Sequence, residues 1–162
     1  MRIHRVVRAT LGLLLAGCRP AHVPPAEVAL TLVGGSNPGR YEARAEQPSC
    51  TRDLVGRGSW GVQLTDWKGP KAGLRSLQLV VPADTVKDQF YLGLVFGDFF
   101  TGIAREIETR ADSPRPKGHG QVKVDVSPAG ATFRVRGVTQ DSVAIQATIA
   151  CHMEQAAKDG TR

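Results

Sequence analysis

Glu106 and Glu108 are the acidic residues of this sequence whose spacing could support acid–base chemistry. Residues two apart on a strand point to the same face, so their carboxyl groups can approach each other. Glycoside hydrolases use such a pair, one carboxyl group as the acid and the other as the base or nucleophile. The alternative role is that of a solvated strand face, which is the more usual one for two carboxylates in this arrangement. The pair therefore defines one hypothesis, a small enzyme that acts on glycans.

Histidine could supply a general base, but the sequence offers few candidates. Of the four histidines, His4 and His22 lie near the N-terminus, which leaves His119 and His152. His119 lies between two glycines in a predicted loop, where we expect a solvated side chain and a catalytic base is the alternative. The chain contains no G-x-S-x-G and no H-E-x-x-H motif. Neither a nucleophilic serine nor a metal-dependent hydrolase is therefore predicted.

The sequence predicts no cofactor and no metal. The glycine-rich run 34–39 lacks the Lys-Ser/Thr pair of a phosphate-binding loop and precedes a strand, so we expect a hairpin turn. Asp84, Asp88 and Asp98 are too widely spaced for a calcium-binding loop.

Aromatic side chains are the remaining candidates for ligand contact. Trp60 and Trp67 flank a predicted strand and could form a platform for a sugar or a peptide. Packing in the core is the more usual role of such residues. Phe99 and Phe100 follow a Gly-Asp pair in a predicted turn, where we expect burial and where an exposed contact surface is the alternative. These four residues are the predicted candidates for ligand contact.

The N-terminal segment has the pattern of an export signal. Three arginines and no acidic residue precede the apolar run 9–17, which is too short to span a bilayer as a helix. The run ends in Leu15-Ala16-Gly17-Cys18, which resembles the lipobox of bacterial lipoproteins. The resemblance implies cleavage after Gly17 and acylation of Cys18, whereas an ordinary secretory signal is the alternative. Arg19, where retained lipoproteins carry aspartate, implies the outer membrane if the organism has one.

Cleavage at this site would leave 145 of the 162 residues. The formal net charge would fall from +6 to +3, because the signal, 1–17, contains three arginines and no acidic residue. The remaining chain has no basic block, so nucleic acid is not a predicted partner. Its mild positive balance favours a position near anionic headgroups. Residues 18–26 form a predicted Pro-rich tether, of which 19–26 reach about 25 Å, so the domain should lie close to the membrane.

Lipidation of Cys18 would leave Cys50 and Cys151 as the two free cysteines. In an exported protein such a pair predicts one disulfide, which here closes a loop of about 100 residues. A zinc site is the competing interpretation, but the chain has neither C-x-x-C spacing nor a set of histidines to complete it.

Apolar and polar residues alternate with a period of two in nine short segments, separated by turns rich in glycine and proline. This pattern is typical of half-buried antiparallel strands, and no segment after residue 17 has a clear helical period. The predicted fold is all-β, an antiparallel β-sandwich or barrel over 27–152, followed by a polar tail, 153–162. The predicted strands cover residues 28–33, 40–46, 60–67, 76–81, 89–96, 104–109, 122–126, 133–136 and 143–151.

The β domain is similar to the mycobacterial surface lipoprotein antigens through Cys50, Cys151 and the strand ending Ala147-Thr148-Ile149-Ala150-Cys151. The resemblance implies a lipid-anchored β domain that is not an enzyme. The leading hypothesis is therefore a membrane-anchored, non-enzymatic binding or structural domain of the cell envelope, with an envelope protein or glycan as its partner. The alternative is a small envelope enzyme that acts on cell-wall glycan through Glu106 or Glu108.

Overall fold

A computed structural model of the chain describes residues 25–45, 50–83, 85–98 and 100–153. The predicted signal, the lipidation site Cys18 and nearly all of the polar tail lie outside these ranges. Within them the secondary structure is entirely β, and no helix is long and apolar enough to cross a membrane. The ten strands are β1 Ala26–Val33, β2 Gly39–Ala45, β3 Cys50–Arg52, β4 Trp60–Thr65, β5 Leu74–Val81, β6 Tyr91–Phe96, β7 Ile103–Glu108, β8 His119–Ser127, β9 Gly130–Val138 and β10 Ala144–His152.

The strands form two five-stranded sheets, and every pair within them is antiparallel. Sheet A has the order β2-β1-β10-β9-β8, so the last strand of the chain lies at its centre. Sheet B is a meander in the order β3-β4-β5-β6-β7. The predicted all-β antiparallel sandwich is confirmed.

The strands of the two sheets cross each other. Cys50 in β3 is joined to Cys151 near the end of β10, whereas Arg105 in β7 pairs with Asp141 just before β10 begins. Because β3 and β7 are the two edge strands of sheet B, that sheet spans β10 from one end to the other. This arrangement corresponds to an orthogonal rather than an aligned sandwich.

The core lies between the inner faces of the two sheets and contains the apolar set that the alternation predicts. Trp60 and Phe133 meet edge to face at its centre, with ring centroids 5.8 Å apart, and both are fully buried. Tyr41 packs on Phe96 at the β2 side, with centroids 4.7 Å apart. Complete burial of a large apolar side chain contributes about 1.5–3 kcal/mol, so this shared layer is the main stabilising element of the fold.

Two features of the strands differ from the predicted pattern. The short strand β3 has no alternation of its own, since two of its three residues are exposed, and it forms by pairing with β4. Strand β8 begins at His119, because Gly118 turns the chain at φ +72° and the predicted loop therefore ends earlier.

Candidate functional site

The structure separates the four aromatic candidates for ligand contact. Trp60 is fully buried against Phe133, so it has the alternative role of a core residue, and its prediction as a ligand contact is corrected. Its indole Nε1 has no hydrogen-bond partner among the described residues. Phe99 lies outside the described ranges.

Trp67 and Phe100 are exposed, with 74% and 96% of their surface accessible. The expected burial of Phe100 is therefore wrong, and the alternative of an exposed position holds. Its loop turns outward because the Asp98 carboxylate accepts hydrogen bonds from the backbone N–H groups of Phe100, at 2.8 Å, and Thr101, at 3.3 Å. The side chain at the tip of such a turn points away from the core.

Trp67 and Phe100 lie on neighbouring hairpin loops. We call the described residues of these loops the aromatic end: 66–73 of the β4–β5 loop, and 97, 98 and 100–102 of the β6–β7 loop. The Gly97 N–H donates to the Gly73 carbonyl at 3.0 Å. The Arg75 guanidinium joins the loops, since its Nε donates to the Gly97 carbonyl at 3.0 Å and its Nη1 to the Asp66 carbonyl at 2.7 Å. The two loops therefore form one connected surface.

The β4–β5 loop is ordered from within by its first residue. The Asp66 carboxylate accepts hydrogen bonds from the backbone N–H groups of Lys68, at 3.0 Å, and Gly69, at 2.7 Å. A Cβ atom at Gly69 would lie 2.3 Å from the Asp66 carboxylate, so a larger residue there would force this carboxylate to move. Trp67 is thus held on a compact turn rather than on a loose connection.

A groove of about 620 Å³ lies beside this loop, on the outer side of β1, β2 and β10. Its polar lining combines three carboxylates with one arginine, and small side chains form much of the rest. The lining residues are Glu27, Val28, Ala29, Glu42, Ala43, Arg44, Asp66, Thr148 and Ala150. They come from three strands and a loop that are distant in sequence, so no local motif could predict the groove, although the alternation does place most of them on outward positions.

Two of the charged groups in the groove already bind each other. The Arg44 guanidinium forms an ion pair with Glu27 across the β1–β2 pair, where the two residues are directly opposite. Glu42 lies two residues earlier on β2 and has no ion-pair partner within the described part of the chain. The Glu42 carboxylate is therefore the acceptor in the groove that is available to a ligand.

Glu106 and Glu108 lie on the outer face of β7, opposite Gly93 and Tyr91 of β6. Each forms an ion pair with a different basic side chain. Glu106 forms an ion pair with Lys117. Glu108 accepts three hydrogen bonds from Arg110, from the backbone N–H at 3.1 Å, Nε at 3.0 Å and Nη2 at 2.7 Å. The two carboxylates face the same side, as predicted, but both are engaged in ion pairs.

The pKa values near this pair do not match an acid–base couple. Burial alone would raise the pKa of Glu108, but the hydrogen bonds and charge of Arg110 outweigh burial and lower it below its ordinary value. The pKa of Tyr91 is raised, first by burial and then by the charges of Glu106 and Glu108. A glycosidase acid needs a carboxyl group with a raised pKa. Glu108 is instead held ionised, which fits the alternative role of a strand-face ion pair.

The predicted disulfide between Cys50 and Cys151 is present. Their Cα atoms are 5.7 Å apart, within the usual range for a disulfide. The bond connects the edge strand of sheet B to the central strand of sheet A. It therefore ties the two sheets together, in addition to joining an early strand to the last one.

Sequence reasoning missed a polar cluster around Arg105. This residue is on the inner face of β7, between Ile103 and Ile107, and its side chain is only 12% exposed. Its Nη2 donates to Ser36 Oγ at 3.0 Å and to Asn37 Oδ1 at 3.1 Å, and its Nη1 lies 3.1 Å from Asp141 Oδ2. An arginine between two inward isoleucines is the signal that could have revealed it.

The remaining candidates have structural positions. His119 is an exposed residue at the start of β8, paired with Val138 of β9. The glycine-rich run forms the β1–β2 hairpin turn, with Gly34 and Gly35 at positive φ. Over the described ranges, no group of three or more His, Cys, Asp or Glu side chains could hold a metal ion.

Comparison with known proteins gives no relative: no protein family, no curated protein and no solved structure matches the chain.

Proposed function

We propose that this chain is a lipid-anchored, non-enzymatic binding domain of the cell envelope, and that the groove beside Glu42 is its binding site. The observation that carries the proposal is the composition of this groove. It joins the carboxylates of Glu27, Glu42 and Asp66 to the Arg44 guanidinium in a volume of about 620 Å³. Ligand sites are typically concave, with a few polar groups that fix orientation.

A hydroxyl-rich glycan fits this groove best. Carboxylates accept hydrogen bonds from hydroxyl groups, and arginine donates to hydroxyl and ring oxygens. The small side chains of Ala29, Thr148 and Ala150 in the lining allow a sugar ring to approach the sheet closely. A peptide partner would need separate apolar pockets for its side chains, whereas this groove is open and carries four charged groups along its lining.

Export and anchoring are supported by two independent features of the sequence and structure. The lipobox resemblance places the lipidated residue at Cys18, eight residues before β1 begins at Ala26. The disulfide between Cys50 and Cys151 is of a kind that persists in oxidising compartments outside the cytosol. Both features fit a domain on the outer side of a membrane.

The enzyme hypothesis receives less support from the geometry. Glu106 and Glu108 are both engaged in ion pairs, and the lowered pKa of Glu108 is unsuited to a general acid. These ion pairs support the binding hypothesis over hydrolysis through Glu106 or Glu108.

Calorimetric titration with soluble cell-wall glycan fragments tests the proposal. Glu42→Gln should weaken binding roughly tenfold, because one charged hydrogen-bond acceptor is lost. Asp88→Asn is the matched control, since this exposed loop acid lies away from the groove lining and its loss should leave affinity unchanged. Equal affinities for wild type and Glu42→Gln would contradict the site.

The same fragments test the enzyme hypothesis. We expect wild-type protein to leave them intact. Hydrolysis that Glu106→Gln or Glu108→Gln abolishes would overturn the non-enzymatic part of the proposal.

A further inference from the structure

We propose that the aromatic end docks on the bilayer, with Trp67 and Phe100 inserted among the lipid headgroups. The proposal rests on the anchored, envelope-bound state proposed above and adds an orientation and a second membrane contact. Both side chains are largely exposed, at 74% and 96%, on loops that the Arg75 guanidinium holds together.

The residue types around these two loops match a membrane interface. Tryptophan is enriched at the headgroup level of bilayers, where its ring is partly apolar and its N–H group remains solvated. Lys71 is exposed on the same loop as Trp67. Lysine can place its apolar stem along the interface and its charge among anionic headgroups. This loop therefore offers the aromatic and cationic groups that a lipid surface attracts.

The acidic residues of the aromatic end are engaged in its turns. Asp66 accepts hydrogen bonds from two backbone N–H groups of the β4–β5 loop, and Asp98 accepts two from the β6–β7 loop. Their charges are thereby partly compensated inside the loops. Both carboxylates are therefore turned toward the backbone of their own loops.

The position of the aromatic end relative to the anchor supports this orientation. Asp66, which precedes Trp67, lines the same groove as Glu27, the second residue of β1. The loop with Trp67 is therefore on the side where the chain enters β1. Residues 19–26 reach about 25 Å at most as an extended tether, so a lipid on Cys18 would hold this side of the domain near the bilayer.

A bilayer suits these side chains better than a protein surface. Trp67 and Phe100 are exposed aromatic side chains on two neighbouring hairpin loops, and a deformable lipid interface accepts such side chains without a matching pocket. A partner protein, or a second copy of the chain, would need a concave surface shaped for both. The lipid surface is therefore the occupant that we propose.

Tryptophan fluorescence of the lipidated full-length protein in vesicles of phosphatidylcholine and phosphatidylglycerol tests the docking. Trp67 should show a blue-shifted emission, and lipids with brominated acyl chains should quench most of it. Trp67→Phe should abolish the quenched component, because Trp60 is fully buried. Phe100→Ser should reduce the quenching, since one of the two inserted side chains is lost.

Val55→Ser is the matched control, because Val55 is also exposed, at 60%, but lies on the β3–β4 loop at the opposite end of β4. It should leave the quenching unchanged. Emission of Trp67 that stays red-shifted and open to aqueous iodide would overturn the docking. Protection from iodide without quenching by brominated lipid would overturn it too, in favour of a contact between copies.

Mass spectrometry of the Cys18 peptide from the same sample separates this result from the anchoring. An acylated peptide with an unquenched Trp67 overturns the docking alone. A peptide without an acyl group overturns the anchored state on which the docking rests.

Discussion

Arg105 in sheet B and Asp141 in the β9–β10 turn of sheet A form an ion pair, with Nη1 and Oδ2 3.1 Å apart. The pair lies at the end of β10 opposite Cys151, so the sheets are joined covalently at one end of this strand and by polar contacts at the other. Asp141 also accepts a hydrogen bond from Thr139 Oγ1 at 2.5 Å. The Arg105 cluster therefore orders both the β1–β2 and the β9–β10 turns around one side chain.

Arg105→Ala should destabilise the domain by about 1–3 kcal/mol, because it leaves Asn37 Oδ1 without a buried donor and opens a gap at the end of the core. Urea unfolding followed by circular dichroism measures the loss. Arg136→Ala is the matched control, since this exposed arginine on the outer face of β9 has no ion pair among the described residues, and its change should stay within roughly 0.5 kcal/mol. Equal effects of the two substitutions would contradict the stabilising role of Arg105.

The ion pair between Glu108 and Arg110 should make the stability of the fold depend on pH. The pKa of Glu108 is lowered in the folded protein, so on acidification the unfolded state binds this proton first. The pair therefore contributes stability above about pH 4.3, the ordinary pKa of glutamate, and this contribution is lost as the pH falls through the lowered value.

Glu108→Gln and Arg110→Gln should each make the urea midpoint fall less steeply below about pH 4.3. Each substitution removes the interaction that lowers the pKa of Glu108. At neutral pH, Glu108→Gln should cost about 1–3 kcal/mol, since it removes the negative charge and one of the two oxygens that bind the Arg110 guanidinium. If the urea midpoint fell as steeply with decreasing pH in both variants as in wild type, protonation of Glu108 would not be linked to folding.

The disulfide predicts a further loss of stability. Cys50→Ala or Cys151→Ala should lower the free energy of unfolding by ~2–5 kcal/mol, since the bond restricts the unfolded chain over a long loop. Chemical unfolding under non-reducing conditions measures the change, and a Cys50–Cys151 linked peptide in an unreduced digest identifies the bond. Two freely alkylated thiols in protein taken from the envelope would contradict it.

Removal of the buried Trp60 should destabilise the fold, whereas removal of the exposed Trp67 should not. Trp60→Ala should cost about 3–5 kcal/mol, because a fully buried ring is removed from its contact with Phe133. Trp67→Ala is the comparison, and we expect a change of at most about 0.5 kcal/mol from this exposed side chain. Thermal or urea unfolding of the two variants should separate them clearly, and similar losses would mean that the exposure of Trp67 is misassigned.

The period-two alternation predicted most of the strands because each sheet buries one face. In β10 it placed Ile145, Ala147, Ile149 and Cys151 on one side, and all four are buried. The same reasoning missed β3, whose three residues pair with β4 but bury almost nothing. Strand pairing of this kind depends on tertiary contacts that a local pattern does not contain.

The site was less predictable than the fold. Trp67 and Phe100 were recognised as aromatics in or near turns, but only the arrangement of the loops shows that they share one end of sheet B. The groove brings Glu42 of β2 close to Asp66 of the β4–β5 loop, although the two residues belong to different sheets. The spacing of residues along the sequence carries no information on such tertiary contacts. An inward arginine such as Arg105, by contrast, can be recognised from the alternation.

The proposed membrane attachment through Cys18 can be tested by cell fractionation with a carbonate wash. Wild-type protein should remain in the membrane pellet after the wash, because an acylated N-terminus with two or more chains gives stable anchoring. Cys18→Ser should appear in the soluble fraction. A Cys18→Ser protein that stays in the washed membrane pellet would contradict the lipid anchor.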